Sequence, residues 1–339
     1  MDSSLVRDVI RDPLVPDDVA YTVVLPGGWT TDERLPLILL LHGANSSSDL
    51  LARLQPVIDG MWRDGSLTRS VVACASTPTV GGFYIDRPEG GSWESLIATA
   101  FPRLLEQRYR IDPDRILLMG SSMGGYGALK IVFAEPARWQ AVAAIAPALL
   151  PADAPQDLRP RNTLSVLAQF GREMAGDGTD PRRFAANSVL HRLRANADAI
   201  RASELPIFLR CGDRDMFHLH DGTEQLHRAL WDLDIGHEYH LVFGADHLGP
   251  EAVAAPRAAL AFLGAVQRAQ AGEDRTAADR ELEAAWLAWA AGGRQGPPPD
   301  LDAFGVTGPT AMRVLMEPEL TEMVRRDPTA ARRYGSVSP

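Results

Sequence analysis

One stretch of the sequence constrains the fold more than any other. It runs from Arg115 to Lys130 as Arg-Ile-Leu-Leu-Met-Gly-Ser-Ser-Met-Gly-Gly-Tyr-Gly-Ala-Leu-Lys. The apolar run 116–119 predicts a buried strand, the Gly-x-Ser-x-Gly sequence at 120–124 predicts a sharp turn, and residues 126–135 predict a helix. A strand, a sharp turn and a helix in this order are the context in which the central serine, Ser122, is presented as a nucleophile.

Both the glycines and the helix of this stretch suit a reactive serine. Gly120 and Gly124 carry no side chain, so they relieve the crowding around a strained serine backbone. Ser122 would stand at the helix N-terminus, where free N–H groups and the helix dipole favour a developing negative charge. An incidental serine in a glycine-rich turn is the alternative, and the flanking strand and helix favour the nucleophile.

The composition indicates an ordinary soluble globular protein. The chain has 339 residues, 45% hydrophobic and 23% charged, and a formal net charge of −10 without a basic stripe. These values argue against a nucleic-acid or anionic-membrane partner. No apolar run is long enough to cross a bilayer, and the N-terminus resembles no secretory signal. Cys74 and Cys211 fall in predicted buried strands and are expected to be reduced, so we expect a cytoplasmic protein.

Strands alternate with helices along residues 1–270, which predicts one α/β domain. Its sheet should be mostly parallel, with helices on both faces. The interval 147–205 is too long for a simple crossover, and its proline-rich start and helical end over 183–201 suggest a lid-like excursion over the mouth of a site. The strands are predicted at 20–25, 35–41, 70–75, 116–119, 141–146, 206–211 and 238–243.

Residues 271–339 are predicted to form a separate helical C-terminal extension. Apolar residues recur there at helical spacing, residues 296–300 form a stiff proline-rich linker, and residues 310–326 predict a second helix. The extension either pads the surface of the main domain or provides a lid or a homodimer contact, and the sequence leaves these alternatives open. The apolar residues of the first helix are Leu282, Ala285, Trp286, Trp289 and Ala290.

A nucleophilic serine needs a base and an acid that anchors it. The acid should follow a strand downstream of the turn, and the segment after the strand 206–211 supplies Asp213 and Asp215. Asp215 is favoured because the loop can swing its side chain toward the site, whereas Asp213 would then stabilise the turn. The base should lie in the loop after the last strand, where His247 occurs.

The anionic intermediate needs two N–H donors, which we assign to the backbone of Met123 and Ala44. This chemistry requires neither a metal nor an organic cofactor. His218 and His220 have a spacing that could bind a metal, but no third ligand is evident nearby, so no metal site is predicted. Three aromatic residues, Phe83, Tyr84 and Trp93, could line a substrate pocket or equally be core residues under a loop.

Several segments together resemble the esterase D-like family of α/β-hydrolases, which includes S-formylglutathione hydrolases, feruloyl esterases and mycolyltransferases. The likeness covers about residues 15–268. It implies an α/β-hydrolase fold with Ser122 as nucleophile, Asp215 as acid, His247 as base, and Ala44 with Met123 as oxyanion donors. One departure is that Gly244-Ala-Asp-His247 has one residue more than the family's frequent Gly-Gly-His. The segments that carry the resemblance are 39–43, 83–94, 119–129, 180–188, 211–215 and 236–240.

The resulting hypothesis is a serine esterase that cleaves a small-molecule carboxylic ester or thioester through an acyl-Ser122 intermediate. The alternative within the same fold is acyl transfer or cyclisation from the same intermediate in a biosynthetic pathway. A scaffold without catalytic activity is the least favoured alternative, because candidates for all three catalytic side chains occur in the order serine, acid, histidine.

Overall fold

A computed structural model of the chain describes residues 2–163, 166–176 and 180–271, with a few isolated positions beyond residue 280. It contains an eight-stranded sheet in the order β1-β2-β4-β3-β7-β8-β9-β10 and a small hairpin of β5 and β6. The strands are β1 (Ser4–Ile10), β2 (Val19–Leu25), β3 (Leu35–Leu41), β4 (Val71–Ala75), β5 (Asp86–Arg87), β6 (Gly91–Ser92), β7 (Ile111–Ser121), β8 (Ala141–Ile145), β9 (Ile207–Gly212) and β10 (Glu238–Val242).

The large sheet is mostly parallel. Within its described strands, the neighbouring pairs from β4 through β3, β7, β8 and β9 to β10 run parallel, and the pairings of β1 with β2 and of β2 with β4 are antiparallel. All residues of β4 and β8 are buried, and so are six successive residues of β3. Because successive side chains of a strand point to opposite faces, both faces of the sheet are covered. The predicted α/β class is confirmed.

Helices flank this sheet on the described part of the chain. The long α4 begins directly after β7, and its contacts with β7 and β8 hold it against the middle of the sheet. The helices are α1 (Leu50–Arg63), α2 (Trp93–Ser95), α3 (Phe101–Tyr109), α4 (Met123–Ala134), α5 (Val166–Met174), α6 (Pro181–Asn187), α7 (Val189–Ala195), α8 (Ala197–Ala202), α9 (Leu219–Asp232) and α10 (Pro250–Ala271).

Two helical stretches are divided into shorter helices. A π-helical turn over Leu96–Ala100 separates α2 from α3 and ends two residues before Pro102, whose ring nitrogen cannot donate a hydrogen bond to the preceding turn. The helical stretch predicted over 183–201 is confirmed, and it consists of three short helices. The side chain of Asp180 caps α6 and that of Ser188 caps α7, so each polar residue starts a new helix.

The chain divides into two compact units, Met1–Val266 and Gln267–Pro339. Most of the second unit, including the predicted helix 310–326 and most of the predicted apolar face from Leu282 to Ala290, lies outside the described residues. Cys74 and Cys211 are buried free thiols, as expected. None of the helices in the described ranges combines the length and hydropathy that a membrane span requires.

Candidate active site

Ser122 lies between the last residue of β7 and the first residue of α4. Its backbone has φ 56° and ψ −117°, which costs a residue with a side chain about 1–3 kcal/mol. Three backbone hydrogen bonds hold this conformation. Ser122 N donates to Ile145 O at 2.9 Å, and Ser122 O accepts from Tyr126 N at 3.1 Å and from Ala148 N at 2.9 Å. The serine is therefore fixed by strands and helix together.

Glycines permit the close packing around this turn. A Cβ on Gly120 would overlap the backbone of Gly124, and a Cβ on Gly124 would overlap the carbonyl of Leu41 at the end of β3. A Cβ on Gly43 would lie 3.5 Å from Ser122 Cβ. The turn therefore packs closely against α4 and the end of β3, which side chains at Gly120 and Gly124 would prevent.

Asp215 and His247 form a buried pair on neighbouring loops after β9 and β10. His247 Nδ1 lies 2.7 Å from Asp215 Oδ2, and the two side chains are 10% and 0% exposed. Asp215 Oδ1 accepts from Phe217 N at 2.9 Å, and the Phe217 ring meets the imidazole edge-on at 5.0 Å between centroids. A carboxylate can only accept, so Nδ1 of His247 carries its proton and Nε2 is left as the acceptor.

The neighbouring carboxylates have other partners. Asp213 Oδ1 accepts from Gly244 N at 2.7 Å, which ties the loop after β9 to the loop after β10. Asp246 Oδ1 accepts from Met216 N at 2.8 Å and from His247 N at 2.6 Å. Both residues therefore hold the two loops together around the pair of Asp215 and His247.

The two backbone donors expected for an oxyanion lie beside Ser122. Met123 is the first residue of α4, so its N–H has no acceptor within the helix. Ala44 lines the same cavity as Ser122. Before it, the buried His42 donates from Nδ1 to Gly43 O and accepts at Nε2 from Thr77 N, each at 2.8 Å. Burial lowers the pKa of His42, so its neutral ring shapes this turn.

A cavity of about 510 Å³ contains Ser122 and His247 in its wall. No hydrogen bond joins their two side chains among the described residues, and such contacts often tighten only when substrate is bound. The wall is apolar apart from a few groups near the serine. It consists of Leu40, Leu41, Gly43, Ala44, Asn45, Ser46, Leu50, Leu54, Phe83, Met119, Gly120, Ser121, Ser122, Ile145, Ala148, Leu167, Phe217, Leu219, His247, Leu248 and Pro256.

Of the three aromatic residues singled out in the sequence, only Phe83 lines this cavity. Tyr84 is fully buried, and its hydroxyl donates to His42 O at 3.0 Å. Trp93 is 5% exposed, and its Nε1 donates to Gly90 O at 3.3 Å. Tyr84 and Trp93 are therefore buried residues that hydrogen-bond to backbone carbonyls of nearby loops, and they do not form the cavity wall.

Most residues of the cavity wall were not predicted from the sequence. Leu50 and Leu54 come from α1, Leu167 from α5 and Leu248 from the loop after β10. Their apolar spacing is the same as that of core residues, so no sequence signal distinguishes them. His218 and His220 lie with ring centroids 5.6 Å apart. Across the described positions, no group of three or more His, Cys, Asp or Glu side chains could hold a metal ion.

Known structures with a similar fold include esterases. A ferulic acid esterase superposes with a TM-score of 0.64 at 21% identity, covering 78% of this chain and 98% of that protein. An S-formylglutathione hydrolase from Agrobacterium tumefaciens superposes with a TM-score of 0.60 at 18% identity, covering 80% of this chain and 95% of that protein. These likenesses confirm the α/β-hydrolase fold.

Sequence comparison identifies the family. The chain is similar to the S-formylglutathione hydrolases of Bos taurus, at 27% identity, and of Mus musculus, at 33%, each over 193 residues. Each alignment covers 50% of this chain but only 61% of the relative. The family model described as "Putative esterase" matches residues 14–232. Because that match spans more than half of the 339 residues, the chain belongs to this esterase family.

Proposed function

We propose that the protein is a serine hydrolase that cleaves a carboxylic ester or thioester of a small molecule. The observation that carries the proposal is the pairing of His247 with Asp215 at 2.7 Å, on the wall of the cavity that also contains the strained Ser122. The membership of the esterase family and the names of the similar proteins, S-formylglutathione hydrolase and ferulic acid esterase, support the same reaction class.

In the proposed mechanism, His247 Nε2 takes the proton of the Ser122 hydroxyl as its oxygen attacks the carbonyl carbon of the ester. The carbonyl oxygen becomes an anion and accepts hydrogen bonds from the N–H groups of Ala44 and Met123. When the carbon–oxygen or carbon–sulfur bond breaks, His247 returns the proton to the departing alcohol or thiol. Water then attacks the acyl-Ser122 in the same manner and releases the acid. Asp215 holds the imidazole and stabilises its charged form throughout.

The proposal is tested by replacing the nucleophile. We expect Ser122→Ala to abolish hydrolysis of p-nitrophenyl acetate and covalent labelling by a fluorophosphonate probe, with the melting temperature close to that of the parent. Ser203→Ala is the matched control, because the hydroxyl of Ser203 caps Ile200 O in α8, away from the cavity. Equal rates of hydrolysis by Ser122→Ala and the parent would rule out the acyl-serine mechanism.

Acyl transfer from the same intermediate is a second candidate. Ala148 and Leu167, both from the excursion 147–205, contribute to the cavity wall, so this segment could exclude water from an acyl-enzyme. Product analysis with alcohol and amine acceptors separates the two reactions. Release of the free acid alone under every condition would eliminate transfer.

A further inference from the structure

The wall of the cavity around Ser122 carries no permanent charge. Among its lining residues within the described chain, none is Asp, Glu, Lys or Arg, and His247 is the only titratable side chain. Leucine, isoleucine, methionine, phenylalanine and proline side chains make up most of the rest. A charged group placed there would lose its hydration without gaining a partner, which is strongly unfavourable. The cavity therefore suits a neutral, apolar group.

The cavity runs from an exposed rim to a buried floor. Two of the lining residues, Leu248 and Asn45, are exposed and form the rim, and Leu248 is 74% exposed. At the other extreme, Met119 is 2% exposed, Leu40 4% and Leu54 9%, and all three belong to the hydrophobic core. The floor is thus built from strands and a helix that are fixed by core packing, and the space above it is preformed.

The order in which the two products leave indicates that the acyl group occupies the buried end of the cavity. In the proposed mechanism the alcohol or thiol leaves first, so it needs a path to the open rim, whereas the acyl group stays bonded to Ser122 until water attacks. The floor residues Leu40 and Met119 lie in β3 and β7, the two strands that end at the oxyanion loop and at the serine. A group bonded to Ser122 therefore has the enclosed apolar space beside it.

We propose that this cavity binds an aliphatic acyl chain of several methylene groups, so that the preferred substrate is a medium-chain acyl ester or thioester. This inference rests on the proposed hydrolase function and adds the acyl specificity. A formyl group, the smallest acyl group, would leave nearly all of the roughly 510 Å³ unfilled. Each methylene buried against the leucine wall contributes hydrophobic stabilisation that a short acyl group cannot.

The test measures kcat/KM of the full chain for p-nitrophenyl esters from acetate to dodecanoate, with S-formylglutathione as a further substrate. Over the first several methylenes we expect kcat/KM to rise by about fourfold per methylene. The kcat/KM for the octanoate ester should then exceed the values for the acetate ester and for S-formylglutathione. A flat or falling profile with acetate hydrolysed would overturn the acyl specificity and leave the hydrolase intact. If the protein hydrolysed none of these esters, both the hydrolase function and the acyl specificity would be excluded.

Variants of the floor locate the acyl chain. Leu54→Trp should fill part of the cavity and lower the octanoate-to-acetate ratio of kcat/KM by about tenfold. Leu50→Trp, at a half-buried position of the same helix, should lower the ratio in the same direction with less risk to folding. Leu241→Trp makes the same replacement on a side chain that is 49% exposed and outside the cavity, so the ratio should stay at the parent value. An unchanged ratio in both folded α1 variants would overturn the proposal.

Discussion

Asp213 and Asp215 lie two positions apart and bind different groups. Asp215 Oδ2 faces His247 Nδ1 at 2.7 Å, whereas Asp213 Oδ1 accepts from the backbone of Gly244 at 2.7 Å. In the proposed mechanism the first contact requires a negative charge that stabilises an imidazolium, whereas the second contact requires only a hydrogen-bond acceptor. The two residues therefore respond differently to the same isosteric change.

Asp215→Asn should lower kcat for p-nitrophenyl acetate by about 10⁴-fold, because an amide cannot stabilise the protonated ring and favours the wrong tautomer. Asp213→Asn is the matched control, since its amide oxygen can still accept from Gly244 N, and its kcat should stay near the parent value. Steady-state kinetics of both variants, with melting temperatures as a folding check, decide the matter. If Asp213→Asn lost most of its kcat while Asp215→Asn kept the parent value, the two roles would be reversed.

His42 makes the stability of the protein depend on pH. Burial lowers the pKa of His42 from its usual value of 6.5, so the unfolded chain takes up a proton that the folded ring resists. The stability that this neutral ring provides is present above pH 6.5 and is lost as the pH falls through the lowered pKa. His42→Gln removes this group, so its free energy of unfolding should fall less steeply between pH 6.5 and 5.

The difference in slope is at most about 1.4 kcal/mol per pH unit, the value for one proton. His42→Gln should also be less stable than the parent at pH 8, since it loses the fitted hydrogen bonds to Gly43 O and Thr77 N. Urea unfolding at four pH values measures both effects. Parallel stability curves for parent and variant would show that His42 is not the group responsible.

At the residue scale, the sequence predicts best the features that depend only on residues close together in the chain. The strained turn at Ser122 depends on glycines within two positions of it, so the pattern itself indicates the conformation. The contact of Asp215 with His247 joins residues 32 positions apart and depends on how β9 and β10 pair. Tyr84 and Trp93 could not be placed, because a buried aromatic residue has the same sequence pattern whether it lines a pocket or supports a loop.

A partly buried ionic cluster connects three helices. Glu94 of α2 contacts Lys130 of α4 at 3.0 Å and is hydrogen-bonded by Arg192 of α7 through two nitrogens. Burial raises the pKa of Glu94, but its two cationic partners outweigh this effect and the pKa is lowered overall. Burial lowers the pKa of Lys130 to about 8, although Glu94 opposes the shift. Lys130 is fully buried, so its charge relies on these contacts.

Glu94→Gln should destabilise the fold by about 3 kcal/mol, because it leaves Lys130 and Arg192 close together without a counter-charge. Lys130→Met should cost less, since Glu94 keeps both hydrogen bonds from Arg192 and the loss is confined to the contacts of Lys130 with Glu94 and with Asn187 Oδ1. Urea unfolding at pH 7 gives the two free-energy differences. A larger loss for Lys130→Met would mean that the lysine charge, and not the carboxylate, holds the cluster together.

At the element scale, continuous apolar runs predicted the parallel strands, because a strand covered on both faces admits few polar residues. β1 was not predicted, since Ser4–Ile10 has polar and half-exposed residues and pairs only with β2 at the sheet edge. The stretch after Asp180 was predicted as helical, but its division into three short helices was not predicted, because the apolar spacing continues past Ser188. The side chain of Ser188 caps the second of these helices, and a periodicity argument does not detect such a cap.

At the scale of the whole molecule, every candidate catalytic residue lies in the first compact unit. Ser122, Asp215, His247 and the wall of the cavity all fall within Met1–Val266. Helix α10 contributes Ala259, Leu260 and Leu263 to the same hydrophobic core as the sheet. We therefore propose that the catalytic domain needs the chain as far as the end of α10 and no further.

A chain truncated after Ala271 should fold by itself and hydrolyse p-nitrophenyl acetate with the kcat/KM of the full chain. The cut keeps α10 whole, so the core retains its apolar contacts. A second truncation after Gly249 is the control, because it removes α10 and uncovers part of the core, and we expect it to be insoluble or unfolded. Circular dichroism, cooperative urea unfolding and ester kinetics of both chains provide the measurements. If the chain ending at Ala271 folds but has lost its activity, residues beyond α10 take part in the site; if it does not fold, they belong to the catalytic domain.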